Sequence, residues 1–275
     1  MKRIVSLLVL LICTCTLYAQ SRYLWTGAVN NNWKNSGNWT LVDGPAAWGN
    51  YPSGITSIAL FGTSVYGTST NVNCTIDGNY LPNGALYVGG IEVNGYSGII
   101  TQGVNNRFVI SDCPGLNGCA YNSVYKAVFN FGSGGEFRGS TTVNVAGSLN
   151  YQDNYTMAVG VEMFITGGLF YAPRKMLMEN HLTLTPGCFV GAGFDGSGGV
   201  VSFYPRPGSI SFPTYFINAG SSSFHDLQIY TGKTCDLNGG NVTVANNLIT
   251  AGSGGYLKIS NGQLHIKRDI IINST

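Results

Sequence analysis

The strongest constraint in this chain is a figure that returns at a fixed distance. NGGNVTVANNLIT (Asn238 to Thr250) and NGQLHIKRDIII (Asn261 to Ile272) each carry a turn, an aliphatic residue, any residue, a second aliphatic residue, three further positions and a third aliphatic residue. Val242 matches Leu264, Val244 matches Ile266 and Leu248 matches Ile270, always 22 residues apart. The figure recurs upstream at Val143, Val145 and Leu149, and more loosely at Leu182, Leu184 and Cys188. A constant offset near 22 is about one rung of a parallel β-solenoid, in which each rung buries its apolar face only by stacking on its neighbours.

The rest of the chain agrees with strands. Short alternating or continuous apolar runs such as GALYV, IEVNGY, RFVI, KAVFNF, VVSFY, LQIY and YLKIS are separated by GG, NG, GSGG and PG, and no stretch sustains a helical period for ten residues. Charged residues make up only 9% of the chain and glycine supplies 39 positions, while 44% apolar content is too high for disorder. The expectation is an all-β protein, a right-handed parallel β-solenoid with an N-terminal aromatic cap. A β-sandwich is the alternative, because insertions such as YQDNYTMAVG and FYPRPGSISFPTY break the period.

Three segments follow. Residues 1–19 read as a secretory signal: a basic pair (Lys2, Arg3), an apolar run from Ile4 to Leu17 too short to span a bilayer comfortably, and the small Ala19 before the cut. Residues 20–62 are the cap. WTGAVNNNWKNSGNW places Trp25, Trp33 and Trp39 at even separations, so all three can face one side where the chain is extended. They read as the lid of the first rung, which would otherwise expose unpaired backbone groups, or as a carbohydrate contact. Residues 63–275 are solenoid repeats, expected to continue beyond the C-terminus.

Without Lys2 and Arg3 the chain carries twelve basic and twelve acidic residues, which argues against a nucleic-acid partner. No transmembrane segment follows the signal. Five cysteines remain after it; Cys113 and Cys119 bracket the turn PGLNG and are candidates for a small disulfide, while Cys74, Cys188 and Cys235 read as buried small hydrophobes. The acids Asp153, Glu162, Glu179, Asp195, Asp226 and Asp236 are scattered, with no DD or DxD cluster for glycoside hydrolysis. A lyase base could come from Arg174, Lys175 or Arg206, but no calcium-binding acidic group accompanies them. His181, His225 and His265 stand far apart, and no cysteines show CxxC spacing. No catalytic residue, metal site or cofactor is expected. Glycans or host and cell-surface molecules are the expected partners, and a polysaccharide-acting enzyme or carbohydrate-binding module is the alternative.

The succession W-x-G-x(5)-W-x(4)-N-W, NCTIDG, GGIEVNGYSGIITQ and SFHDLQIYTGKTCDLNGGNVTVANNLIT resembles the N-terminal region of large secreted repeat proteins of the Bacteroidota, of the adhesin-like and gliding-associated kind. That resemblance implies an extracellular or cell-surface β-solenoid exported by the type IX system. Such proteins usually carry a separate sorting domain, whereas RDIIINST follows a repeated strand directly; the expectation is a piece of a longer surface protein.

Overall fold

The computed structural model describes residues 20–76, 85–103, 107–110, 129–131, 136–138, 157–160, 163–165, 167, 169–173, 175–178, 182–184, 189–190, 199–203, 214–218, 223–230, 234–251 and 256–273. The signal reading (1–19), Cys113, Cys119, Cys188 and the figure at Val143 to Leu149 lie outside them. The described chain is all-β: strands joined by turns, with a single 3-10 turn at Ser36–Asn38 and no α-helix.

At the N-terminal end, β1 (Ser21–Trp25) pairs antiparallel with β2 (Trp39–Asp43) on one edge and parallel with β3 (Gly54–Ser64) on the other. A hairpin joins β3 to β4 (Gly67–Thr68), and β5 (Cys74–Ile76) follows. The expected boundary at residue 62 thus falls inside β3, and the cap segment supplies strands to the same ladders as the repeats. Gly62 ends the core-facing run of β3 with a φ of 84°; a Cβ there would collide with the Asn94 carbonyl of the neighbouring strand, so only glycine fits.

Beyond this end the described strands pair in parallel, in three ladders. In the first, Leu86, Phe108, Met157, Met176, Val201, Leu227, Leu248 and Ile270 succeed one another in register. The second runs through Tyr23, Ala59, Ile91, Phe129, Met163, Leu182, Ile217, Leu237 and Ile259. The third begins with Cys74, Ile100, Phe137, Phe170 and Phe189, and ends with Val242 on Leu264 and Val244 on Ile266. The chain visits the ladders in a constant order. Ile99–Gln102 serves the third, Arg107–Ile110 the first, Phe129–Phe131 the second and Glu136–Arg138 the third again; the long strands Thr234–Val244 and Tyr256–Ile266 each serve the second and then the third.

Alternation explains the burial. In Leu86 to Val88 and Leu227 to Ile229 the outer residues are buried and the middle one is half-exposed, because successive side chains point to opposite faces of a strand. The inward residues form one continuous core from Trp25 to Leu248. Phe137 lies flat on Phe170, ring centroids 4.7 Å apart and planes within 6° of parallel. Methionines fill the middle of the first ladder, at Met157, Met176 and Met178, where an unbranched side chain adapts to neighbours of different shape.

The pairs predicted from the 22-residue offset, Val242 with Leu264, Val244 with Ile266 and Leu248 with Ile270, are in register. The looser match at Leu182 is not. Leu182 stacks in the second ladder, in the column of Leu237 rather than of Val242. A short alternating figure marks a strand without marking which ladder it enters. Among the described residues, antiparallel pairing, which the sandwich alternative requires throughout, is confined to β1 with β2 and β3 with β4.

Replacing Phe170 by Ala removes a ring stacked on Phe137 in the middle of this core, and the expected loss is about 3–5 kcal/mol, read as a lowered urea midpoint.

Candidate functional site

The tryptophan stretch folds the way it does because asparagines replace a regular backbone ladder. Asn38 is fully buried, and its side chain is a hub: Oδ1 accepts from the Val29 and Asn30 amides at 2.9 Å each, and Nδ2 donates to Asn30 Oδ1 and the Asn32 carbonyl at 2.7 Å each. Asn32 Oδ1 accepts from the Lys34 amide, and Asn35 caps the 3-10 turn by accepting from Gly37. The loop is tied to β5 by two backbone bonds, Trp33 N–H to the Thr75 carbonyl and Thr75 N–H to the Asn31 carbonyl.

This frame carries the three indoles inward. Trp25 and Trp33 are wholly buried and Trp39 nearly so. Trp39 meets Trp25 at 4.9 Å and Trp33 at 4.8 Å, both edge-to-face, and Phe61 touches all three at 5.6–5.9 Å. Every indole N–H finds a carbonyl: Trp25 donates to Val72, Trp33 to Pro52 and Trp39 to Trp33. Rings enclosed in this way offer no face on which a sugar could stack. Beneath them Tyr96 donates its hydroxyl to the Val72 carbonyl at 2.6 Å, and burial, with Cys74 beside it, pushes its phenol far above the ordinary value.

The fourth tryptophan, which the spacing argument passed over, is the exposed one. Trp48 is 86% accessible. It stands on a tight turn: the Ala47 amide is held by the Tyr23 hydroxyl, the Asn50 amide donates to the Ala47 carbonyl at 3.0 Å, and Ser53 Oγ donates to the carbonyl of Trp48 itself at 2.8 Å. Gly49 and Asn50 both have positive φ, and the buried Tyr51 lies directly under Gly49. The only sequence signal for this presentation is the pair Gly49–Asn50, which favours the left-handed conformation.

Polar side chains hold paired strands together. Asp236, buried on the second ladder, accepts from Ser260 Oγ at 2.7 Å and the Ser260 amide at 3.1 Å, and Lys258 Nζ lies 3.2 Å away. Burial alone would push its carboxyl up; the Ser260 and Lys258 hydrogen bonds and the lysine charge outweigh it and hold the carboxyl below the usual range. At another corner Asp226 Oδ1 accepts from Asn246 Nδ2 and the Asn247 amide at 2.8 Å each, Oδ2 lies 3.3 Å from His225 Nδ1, and Arg268 donates to Asn246 Oδ1 at 3.1 Å. Both carboxylates are thus occupied by groups on or beside the next strand of their ladders. Among the candidates read from the sequence, Asp153, Glu162, Glu179, Asp195, Arg174, Arg206 and His181 lie outside the described residues; Lys175 is exposed, and His265 is exposed and bonded to Gln263.

Cys74 and Cys235 are buried thiols, and burial, with Asp236 adjacent, pushes the Cys235 thiol above its ordinary value. No group of three His, Cys, Asp or Glu side chains among the described residues could hold a metal ion. No helix among them is long and apolar enough to cross a membrane. Comparison with protein-family models, with curated proteins and with solved structures finds no match.

Two expectations follow. Trp33→Ala destabilises the protein by about 3–5 kcal/mol in chemical denaturation, whereas Trp48→Ala changes it by less than about 0.5 kcal/mol. For Asp236, whose folded value lies below the unfolded one, the stabilising contribution is fully present above the unfolded value near pH 4 and is lost as pH falls through the folded value. Asp236→Asn therefore costs about 1–3 kcal/mol at neutral pH, and its urea midpoint converges on that of the parent protein in acid.

Proposed function

We propose that this chain is a right-handed parallel β-solenoid that serves as a non-catalytic structural and attachment protein, secreted or held at the cell surface. The observation that carries the reading is the constant order in which the chain visits three parallel ladders, each stacking apolar residue on apolar residue. A chain that returns to the same three faces in the same order winds as a coil, and a coil of stacked rungs makes a stiff rod with a long lateral surface. The buried tryptophan cluster closes the N-terminal end of that rod. The carboxylates Asp226 and Asp236 are each hydrogen-bonded to the next strand of their ladders, which supports a scaffold role for them.

Trp48 supplies the contact. A single large aromatic ring held clear of the surface on a hydrogen-bonded turn is suited to stacking on the apolar face of a sugar ring, and glycans are therefore the ligand class this reading favours. Glycan-array and cell-adhesion binding by the purified protein tests it. Binding that falls roughly tenfold in Trp48→Ala, with the urea midpoint unchanged, is the expected result, a difference of about 1.4 kcal/mol. Folded protein that binds no glycan and no cell surface overturns the attachment role; new reducing ends or unsaturated products from plant or algal polysaccharides would overturn the non-catalytic one.

A further inference from the structure

The third ladder is apolar on its inward side and polar on its outward side. Cys74, Ile100, Phe137 and Phe170 stack in register and are fully buried. The residues that follow them, Thr75, Thr101, Arg138 and Tyr171, are in register too. Alternation turns these four outward, where Thr75, Thr101 and Tyr171 are half-exposed and Arg138 is exposed. Two hydroxyls, a guanidinium and a phenol therefore stand in one line, on four successive strands of the ladder. Neighbouring strands lie about 4.8 Å apart, so the line is about 14 Å long.

Charge along the line is balanced. Glu136, on the same strand and the same face, grips Arg138 side-on: Nε donates to Oε1 at 2.5 Å and Nη2 donates to Oε2 at 3.2 Å. That grip uses two of the five N–H groups of a guanidinium and one lone pair on each carboxylate oxygen. Donors are thereby held beside acceptors at a fixed separation, with no net charge. In the adjoining outward column Ile99 and Leu169 flank Glu136, and Leu169 is exposed.

A neutral sugar complements such a surface. Neighbouring hydroxyls of one pyranose ring can donate to a carboxylate and accept from a guanidinium at once, while the C–H face of the ring stacks on a phenol. An acidic sugar meets the Glu136 charge with its own, and Arg138, the cation of the row, is already neutralised. Extended polysaccharides advance by about one strand spacing per sugar, so consecutive sugars of a chain lying along the ladder meet consecutive strands.

The geometry points to a glycan-binding site on this outward face, separate from Trp48, that takes a neutral polysaccharide chain lying along the ladder. Tyr171 stacks on one sugar, Arg138 and Glu136 hold the hydroxyls of the next, and Thr101 and Thr75 meet those beyond. The site rests on the attachment reading above, to which it adds a contact that responds to chain length.

Titration calorimetry with neutral β-linked gluco-, xylo- and manno-oligosaccharides, and with oligogalacturonate as the acidic control, tests it. The full chain carrying Trp48→Ala is used, so that the other contact is absent. Affinity for the best neutral series is expected to climb from the disaccharide to the tetrasaccharide and then level off, and oligogalacturonate to bind at least tenfold more weakly. Adding Tyr171→Ala lowers tetrasaccharide affinity roughly tenfold, whereas Tyr171→Phe, which keeps the ring, stays within about twofold. Glu136→Gln with Arg138→Gln, which removes the ion pair and keeps the row neutral, also lowers it roughly tenfold. These side chains face outward, and an unchanged urea midpoint reports that folding is intact. Parent protein that binds glycans only through Trp48, binding indifferent to Tyr171→Ala and to the double glutamine variant, or a preference for oligogalacturonate overturns this site and leaves the attachment reading standing. Folded protein that binds cells but none of these oligosaccharides does the same. Folded protein that binds no glycan and no cell surface overturns both.

Discussion

Each of the parallel strands depends on the hydrogen-bonded ladders that tie it to its neighbours. A short strand buries only two or so side chains, far too little to offset the loss of backbone freedom on its own. Stacking changes that balance. When Leu248 lies over Leu227 and under Ile270, one line of apolar contacts is shared by three segments, and every inward-facing backbone of the middle segment is paired on both sides. Polar links follow the same axis: Asp226 reaches the Asn247 amide and Asp236 reaches Ser260, each on the next rung. Stability is therefore a property of neighbours.

The N-terminal end is closed by chemistry that does not repeat. There β2 runs antiparallel on β1, so the edge of the first parallel strand is covered. Behind it the tryptophans pack on Phe61, and Asn38 supplies four hydrogen bonds to a loop that meets β5 through a single bridge. Outside β1 and β3, Leu24, Ile58 and Leu60 form a small second cluster with Val42, so this end is packed on both faces of its sheet. Ile270, Ile271 and Ile272 are exposed, whereas Leu248, Ile249 and Thr250, with which they pair, are buried or half-buried.

The same economy bears on chemistry. Carboxylates that act as acid and base must stand free near a substrate, at separations of several ångströms. Asp226 and Asp236 are instead saturated by amides, a hydroxyl and an ammonium. The described surface exposes Trp48 on its fixed turn and Val65 at the tip of the β3–β4 hairpin.

Composition, punctuation and period-two alternation in the sequence determined that the chain is all-β, and the 22-residue offset determined the register of its last rungs, because equal spacing between like residues leaves a parallel ladder only one way to align. Burial of the first three tryptophans was legible as one of two readings. Tertiary structure alone decided the rest. Rungs between Phe108 and Leu227 differ in length, so no fixed offset reveals that Met157 lies over Phe108 or that Leu182 belongs with Leu237; alternation is a local property of a strand, whereas its ladder depends on how much chain the preceding turns consume. Which tryptophan faces solvent was likewise hidden, since Trp33 stands among polar residues and is buried while Trp48 stands beside two alanines and is exposed, and only the positions of Tyr51, Pro52 and Tyr23 in space enclose one indole and hold the other out.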